Sequence, residues 1–169
     1  MESGLRMRYL TIDELVYINE QVTQDSKIHT IVDGKRKVRD MGLLEAAVGR
    51  PMTTVFGEDA YPTPQEKAAA LLHSLVRNHP FADGNKRTAT VAALFMLQVN
   101  GLCVAWDAVQ ALAYLVEMAE GEREVSSFAA WLPTKSCPPS PEQDAAADIQ
   151  LIQRLMEEHR WLLDELAKQ

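Results

Sequence analysis

The sequence predicts a mostly α-helical domain with one small β-hairpin and an amphipathic helix as a C-terminal extension. Three observations carry that prediction. Apolar residues recur at helical spacing through most of the chain, several of those runs open on a Thr or Asp cap, and β-forming clusters are short and confined to two segments. The length of 169 residues and a 47% hydrophobic content suit one domain with a short appendage.

The first helix begins at "TIDELVYINEQV", where Thr11 caps, Glu14 completes a capping box, and Ile12, Leu15, Val16, Ile18 and Val22 share a face. "KIHTIVDGKRKV" combines a β-branched run with an Asp33-Gly34 turn signal, and reads as irregular chain or a small hairpin. Asp40 opens a short helix, "MGLLEAAVG", that stops at Gly49 before Pro51. "PMTTVFGEDAYPT" places β-formers around "GEDA" and predicts a hairpin-like loop.

Thr63, Pro64 and Glu66 then signal a helix start, and "KAAALLHSLVRNH" is apolar all round, as a buried central helix should be. Pro80 and Gly84 break it, and a second apolar helix, "RTATVAALFMLQVN", runs to Gly101. Asp107 caps a further helix ending at Gly121, and Ser126 or Ser127 starts a short one that stops before Pro133. The proline-rich stretch 133–141 reads as a linker, so the expected organisation is a domain over 1–132, a linker over 133–141 and a helix over 142–169. That last helix, starting at Ser140 and Pro141, carries Ile149, Ile152, Met156, His159, Leu163 and Leu166 in a coiled-coil seam. Such a seam asks for a covering surface: its own domain, a second copy in a homodimer, or the mouth of the active site.

A net charge of −7, from 24 acidic and 17 basic residues, excludes a broad nucleic-acid or anionic-membrane surface. No apolar run reaches the roughly 18 residues of a membrane span, and "MESGLRMRYL" lacks a signal-peptide core. Cys103 and Cys137 show neither metal-ligand spacing nor a disulfide framework, and are read as bystanders in a reducing, cytoplasmic compartment.

The chemistry concentrates in "HPFADGNKRTAT", the elbow between the two apolar helices. A glycine turn entering a helix presents unpaired N–H groups and a positive dipole end, which together attract anions. Gly84 permits close backbone approach, the Asn85 amide can donate, and Lys86 and Arg87 add two charges that oppose the helix dipole unless an anion compensates. Asp83 suits a Mg²⁺ that bridges phosphates. His79, four residues earlier, is placed to take a proton from a hydroxyl. The elbow thus reads as base, metal ligand and phosphate cradle. No Walker A pattern occurs.

"HPFADGNKRTA" resembles the active-site motif of the Fic/Doc (Fido) family, H-P-F-x-[DE]-G-N-[GK]-R, and within it the Doc branch of death-on-curing toxins, where lysine follows the asparagine. The likeness continues through "VRDMGLLEAAVGRP", "FGEDAYPT", "EKAAALLHSLVRNHPF" and "LFMLQVNG", over about residues 8–132. It implies a Fido helical bundle in which His79 is the catalytic base, Phe81 pins the loop to the core, Asp83 binds Mg²⁺, and Gly84, Asn85, Lys86 and Arg87 hold the phosphates of ATP. Residues 51–63 would be the family's flap, aligning a target peptide by strand addition. Members with glycine after the asparagine transfer AMP. Lys86 replaces that glycine, and Thr90 stands where those members carry a second arginine.

Doc proteins, similar in both respects, are kinases that move the γ-phosphate of ATP to a threonine of elongation factor Tu and arrest translation. The resemblance therefore implies a toxin-kinase controlled by a Phd-like antitoxin, ahead of an AMP transferase or a non-catalytic binding module. Self-inhibition is not expected, since nothing after residue 133 resembles [ST]-x-x-x-E-[GN], and Thr54 to Glu58 is followed by Asp59. His73 is read as a hydrogen-bonded core residue, His29 and His159 receive no chemistry, and "KRKVR" at 35–39 reads as a solvated loop.

Overall fold

A computed structural model describes residues 6–24 and 37–169. Residues 27–36 of the first β-forming segment, His29 among them, lie outside the described residues. The fold is mostly helical. In chain order it runs α1 (Ile12–Val22), α2 (Met41–Gly49), a 3₁₀ turn (Arg50–Met52), β1 (Thr54–Val55), β2 (Glu58–Asp59), α3 (Pro64–Asn78), α4 (Asn85–Val99), β3 (Leu102–Val104), α5 (Ala108–Ala119), α6 (Val125–Trp131), β4 (Thr134–Ser136), α7 (Ala145–Glu158) and α8 (Arg160–Ala167).

Local capping explains where most helices start. Thr11 and Thr63 each form the full reciprocal box with Glu14 and Glu66, while Asp40 and Asp107 accept from Leu43 N and Gln110 N at 3.0 Å. α6 begins at Val125, one residue ahead of the expected serines, with Ser127 Oγ donating back to Glu124 O. The hairpin forms, but its turn is Phe56-Gly57, both at positive φ, so Glu58 and Asp59 are its second strand.

α3 and α4 form the most extensive helix pair and the centre of the core. Leu71, Leu72 and Leu75 of α3 meet a helix in which Val91, Phe95, Met96 and Leu97 are all buried. Each such side chain removed from water stabilises the fold by roughly 2 kcal/mol. α1, α2, α5 and α6 surround this pair. His73 is hydrogen-bonded as expected but only half-buried, at the edge of the core: Arg50 Nη1 approaches its Nδ1 at 2.7 Å, and since the guanidinium only donates, the ring is neutral there.

Beyond residue 132 the structure departs from expectation. The 133–141 stretch is a strap bound to the domain. β4 pairs antiparallel with β3, Cys137 N and Ser140 N donate to Gly101 O and Val99 O, and Cys103 is disulfide-bonded to Cys137. The cysteines are therefore paired, and the sequence-based ground for a reducing compartment is removed. Four prolines signalled a break in helix, but proline is equally compatible with an extended edge strand.

The extension is two helices. Asp144, not Ser140, caps α7, with its carboxylate accepting from Ala147 N, and the chain breaks at His159 before α8. Leu151, Ile152, Leu155, Leu162, Leu163 and Leu166 are buried, with α7 and α8 packed on α4 and α8 also on α5. Most of the seam is thus covered by its own domain, while Ile149 stays exposed. Buried Arg8 ties the extension down through Asp148, at 2.6 Å, and Glu14, at 2.9 Å. None of the described helices is long and apolar enough to cross a membrane.

Candidate active site

α3 ends at Asn78, and His79 takes the left-handed conformation with φ 51° and ψ 59°. A non-glycine residue there is strained by about 1 to 3 kcal/mol and persists only where its surroundings hold it. Arg39 supplies the hold. Its Nε donates to His79 O at 2.7 Å and its Nη2 to Asn78 O at 2.8 Å, satisfying carbonyls that a helix end leaves unpaired and setting a cation on the negative end of α3. The neighbouring backbone acts as a splint. Arg39 N and Asp40 N donate to Pro80 O, Ala82 N donates to Lys37 O, and Val38 bridges Phe81, whose ring is fully buried.

Asn85 then closes the turn on itself. Its Oδ1 accepts from Phe81 N and its Nδ2 donates to Phe81 O, both at 3.0 Å, so the expected phosphate donor first serves as a clasp with one amide hydrogen left over. Gly84 sits at φ 76°, and a Cβ there would meet Thr23 Cγ2 at 2.6 Å. The glycine is required for the backbone and for packing on α1, besides any approach to a ligand. Buried Asn19 joins the two elements by donating Nδ2 to Asp83 O at 2.8 Å and Thr88 Oγ1 at 3.0 Å.

α4 starts at Asn85 with no side-chain cap, unlike α1, α2, α3, α5 and α7. Its first turn holds Lys86 and Arg87 in place of the usual acids, so positive dipole and positive side chains coincide. Arg87 is braced by Val22 O at 2.6 Å and by Asp83 Oδ2 at 3.7 Å, whereas Lys86 has no polar partner among the described residues. Partial burial, then the charges of Lys86, Arg39 and Arg77, hold the His79 imidazole below its ordinary pKa. At neutral pH the exposed ring is therefore an unprotonated base. Thr90 is buried, and its hydroxyl donates to Lys86 O one turn back in α4.

Asp83 and Arg87 also line a cavity of about 410 Å³ together with Gln21 and Val22 of α1 and residues of α7 and α8. Among the described residues no three His, Cys, Asp or Glu groups converge as a metal cluster, and Asp83 brings one carboxylate to the bend.

The structure thus gathers the predicted residues 79 and 83–87 at one bend, and adds two that sequence reasoning passed over. Arg39 carried no local signal, since it belonged to a basic run that looks solvated. Asn19 did: it shares a helical face with Leu15, Ile18 and Val22, and a polar side chain on such a face asks what it bonds.

A family model described as the Fic/DOC family matches residues 9–97. "Toxin Doc" of Mycolicibacterium smegmatis is 52% identical over 101 residues, which cover 59% of this chain and 78% of that protein. "Protein kinase doc" of Escherichia phage P1 is 34% identical over 123 residues, 73% of this chain and 91% of that protein. With the family model spanning more than half the chain and the elbow intact, this protein belongs to the Fic/DOC family.

Proposed function

We propose that this protein is a Doc-type toxin that transfers the γ-phosphate of ATP to a serine or threonine hydroxyl of a protein target, elongation factor Tu, and so blocks translation. One observation carries the reading: a strained, neutral His79 is held beside the uncapped, doubly cationic start of α4. A relative named as a protein kinase and another named as a toxin support it.

In this reading His79 accepts the proton of the acceptor hydroxyl while its oxygen bonds the γ-phosphorus and the β–γ bond breaks, releasing ADP. The first-turn N–H groups of α4 with Lys86 and Arg87 orient the phosphates and stabilise their charge. Asp83 fits Mg²⁺ that arrives with the nucleotide, because that ion is typically held by one or two carboxylates plus phosphate oxygens. The metal would supply charge neutralisation. The exposed Val55 and Phe56 of the β1–β2 hairpin suit an extended target peptide. A Phd-like antitoxin completes the system.

Incubation of protein, target and Mg-ATP labelled at the γ or the α position tests the reaction. Label from the γ position on the target is expected. Label from the α position alone means AMP transfer, and transfer or toxicity surviving His79→Ala means that His79 is not the base.

A further inference from the structure

The β1–β2 hairpin has little of its own to hold it in place. Residues 52–59 are all exposed, and the foot is closed by Ala60 N donating to Thr53 O at 2.9 Å. A pair of strands this short and this solvated is marginal in isolation. Lys67, one turn into α3, supplies the tie. Its side chain is 4% exposed, and its Nζ donates to Pro51 O and to Asp59 Oδ2, each at 3.2 Å, so one ammonium joins the chain entering β1 to the end of β2. The ring of Tyr9 adds a cation–π contact at 5.4 Å. Among the described residues no other side chain outside the hairpin hydrogen-bonds residues 52–59.

We propose that Lys67 is a positioning residue for the acceptor protein, fixing the hairpin on α3 so that a strand added to it brings its hydroxyl to His79; this rests on the reading of the hairpin as the edge that receives the target. Lysine is almost never this buried unless paired, and an apolar residue of similar size would often serve stability as well. What the ammonium adds is direction, because it draws acceptors from both arms of the hairpin to one point. The same helix carries that anchor near its start and His79 at its end, about 18 Å of rigid backbone apart. Strand addition binds a peptide through its main chain, but the acceptor oxygen reaches the base only if the receiving edge stays put. A displacement of about 1 Å at a reacting group can cost about a hundredfold in rate.

Steady-state transfer from Mg-ATP to elongation factor Tu, together with amide hydrogen exchange of the same full-length proteins, tests the assignment. Lys67→Met puts an apolar end of similar length in the buried site and leaves Asp59 half-exposed and hydrated. It is expected to raise KM for elongation factor Tu about tenfold and to leave KM for ATP within about twofold of the parent. Amides of residues 53–60 should exchange faster while those of α3 and α4 keep their protection. Asp59→Ala cuts the same tie from the solvent side without disturbing the core, and should move KM for the acceptor in the same direction by a smaller factor, since Pro51 O remains bonded. An unchanged KM for elongation factor Tu, unchanged exchange at 53–60, or an equal rise in KM for ATP in Lys67→Met overturns the assignment and leaves the proposed function standing. Faster exchange throughout α3 does the same, marking Lys67 as a stabiliser of the helix alone. A parent that transfers nothing to elongation factor Tu overturns both.

Discussion

Arg39 reaches across forty residues to grip the end of α3, with Nε on His79 O at 2.7 Å and Nη2 on Asn78 O at 2.8 Å. The residue proposed as the base is thereby held in a backbone conformation it would otherwise leave. Arg39→Ala is expected to lower kcat about tenfold or more with a smaller change in KM for ATP, since Arg39 positions the base. His79→Gly should abolish transfer and yet raise stability by about 1 kcal/mol, because glycine adopts that φ without strain. Denaturant melts and single-turnover transfer read the two effects separately. An unchanged kcat in Arg39→Ala would remove Arg39 from the site.

The pH dependence has a definite sign. His79 titrates below its ordinary value near 6.5, through partial burial and then the charges of Lys86, Arg39 and Arg77, so transfer should be flat above neutrality with an acid limb below pH 6.5. Lys86→Met removes one of those charges and should move the limb upward, whatever it does to the plateau. Stability follows the same direction. His73, His79 and His159 all resist protonation when folded, chiefly through burial, so the unfolded chain takes up more protons as pH falls through the ordinary imidazole value near 6.5, and stability should fall from there downward. Urea melts above and below that value would show it, and a flat profile would contradict the burial of these rings.

Gly84→Ala combines two penalties, a left-handed φ worth about 1 to 2 kcal/mol and an overpacked contact with Thr23 Cγ2 worth roughly 1 to 3 kcal/mol. Thr23→Ser deletes that methyl and keeps the hydroxyl that donates to Asn19 O. The double variant should therefore recover the steric part alone. Full recovery would mean that φ at residue 84 carries no strain.

The Cys103–Cys137 bond closes a loop of sequence separation 34. Its removal, by Cys103→Ser with Cys137→Ser or by reductant, should destabilise the protein by about 3 to 4 kcal/mol through the freed chain entropy of the unfolded state. Thiol titration of unreduced, denatured protein should find no free thiol. Two free thiols and an unchanged melt would show that the strap is held by β3–β4 hydrogen bonds alone.

What the sequence determined by itself is local. Thr11, Thr63, Asp40 and Asp107 cap helices through partners three residues away, the apolar periodicity assigned α3 and α4 to the core, and the bend between them was legible because its glycine, asparagine and cations are consecutive. Only the tertiary structure decided the rest. That Arg39 holds His79, that Asn19 holds Asp83 and Thr88, that Cys103 meets Cys137 and that the apolar seam of 145–167 folds back onto α4 all depend on residues tens of positions apart. A proline-rich strap and a free linker have one composition, and an exposed basic run and a helix-capping arginine have one spelling; which is realised depends on what the closing core brings within hydrogen-bond reach.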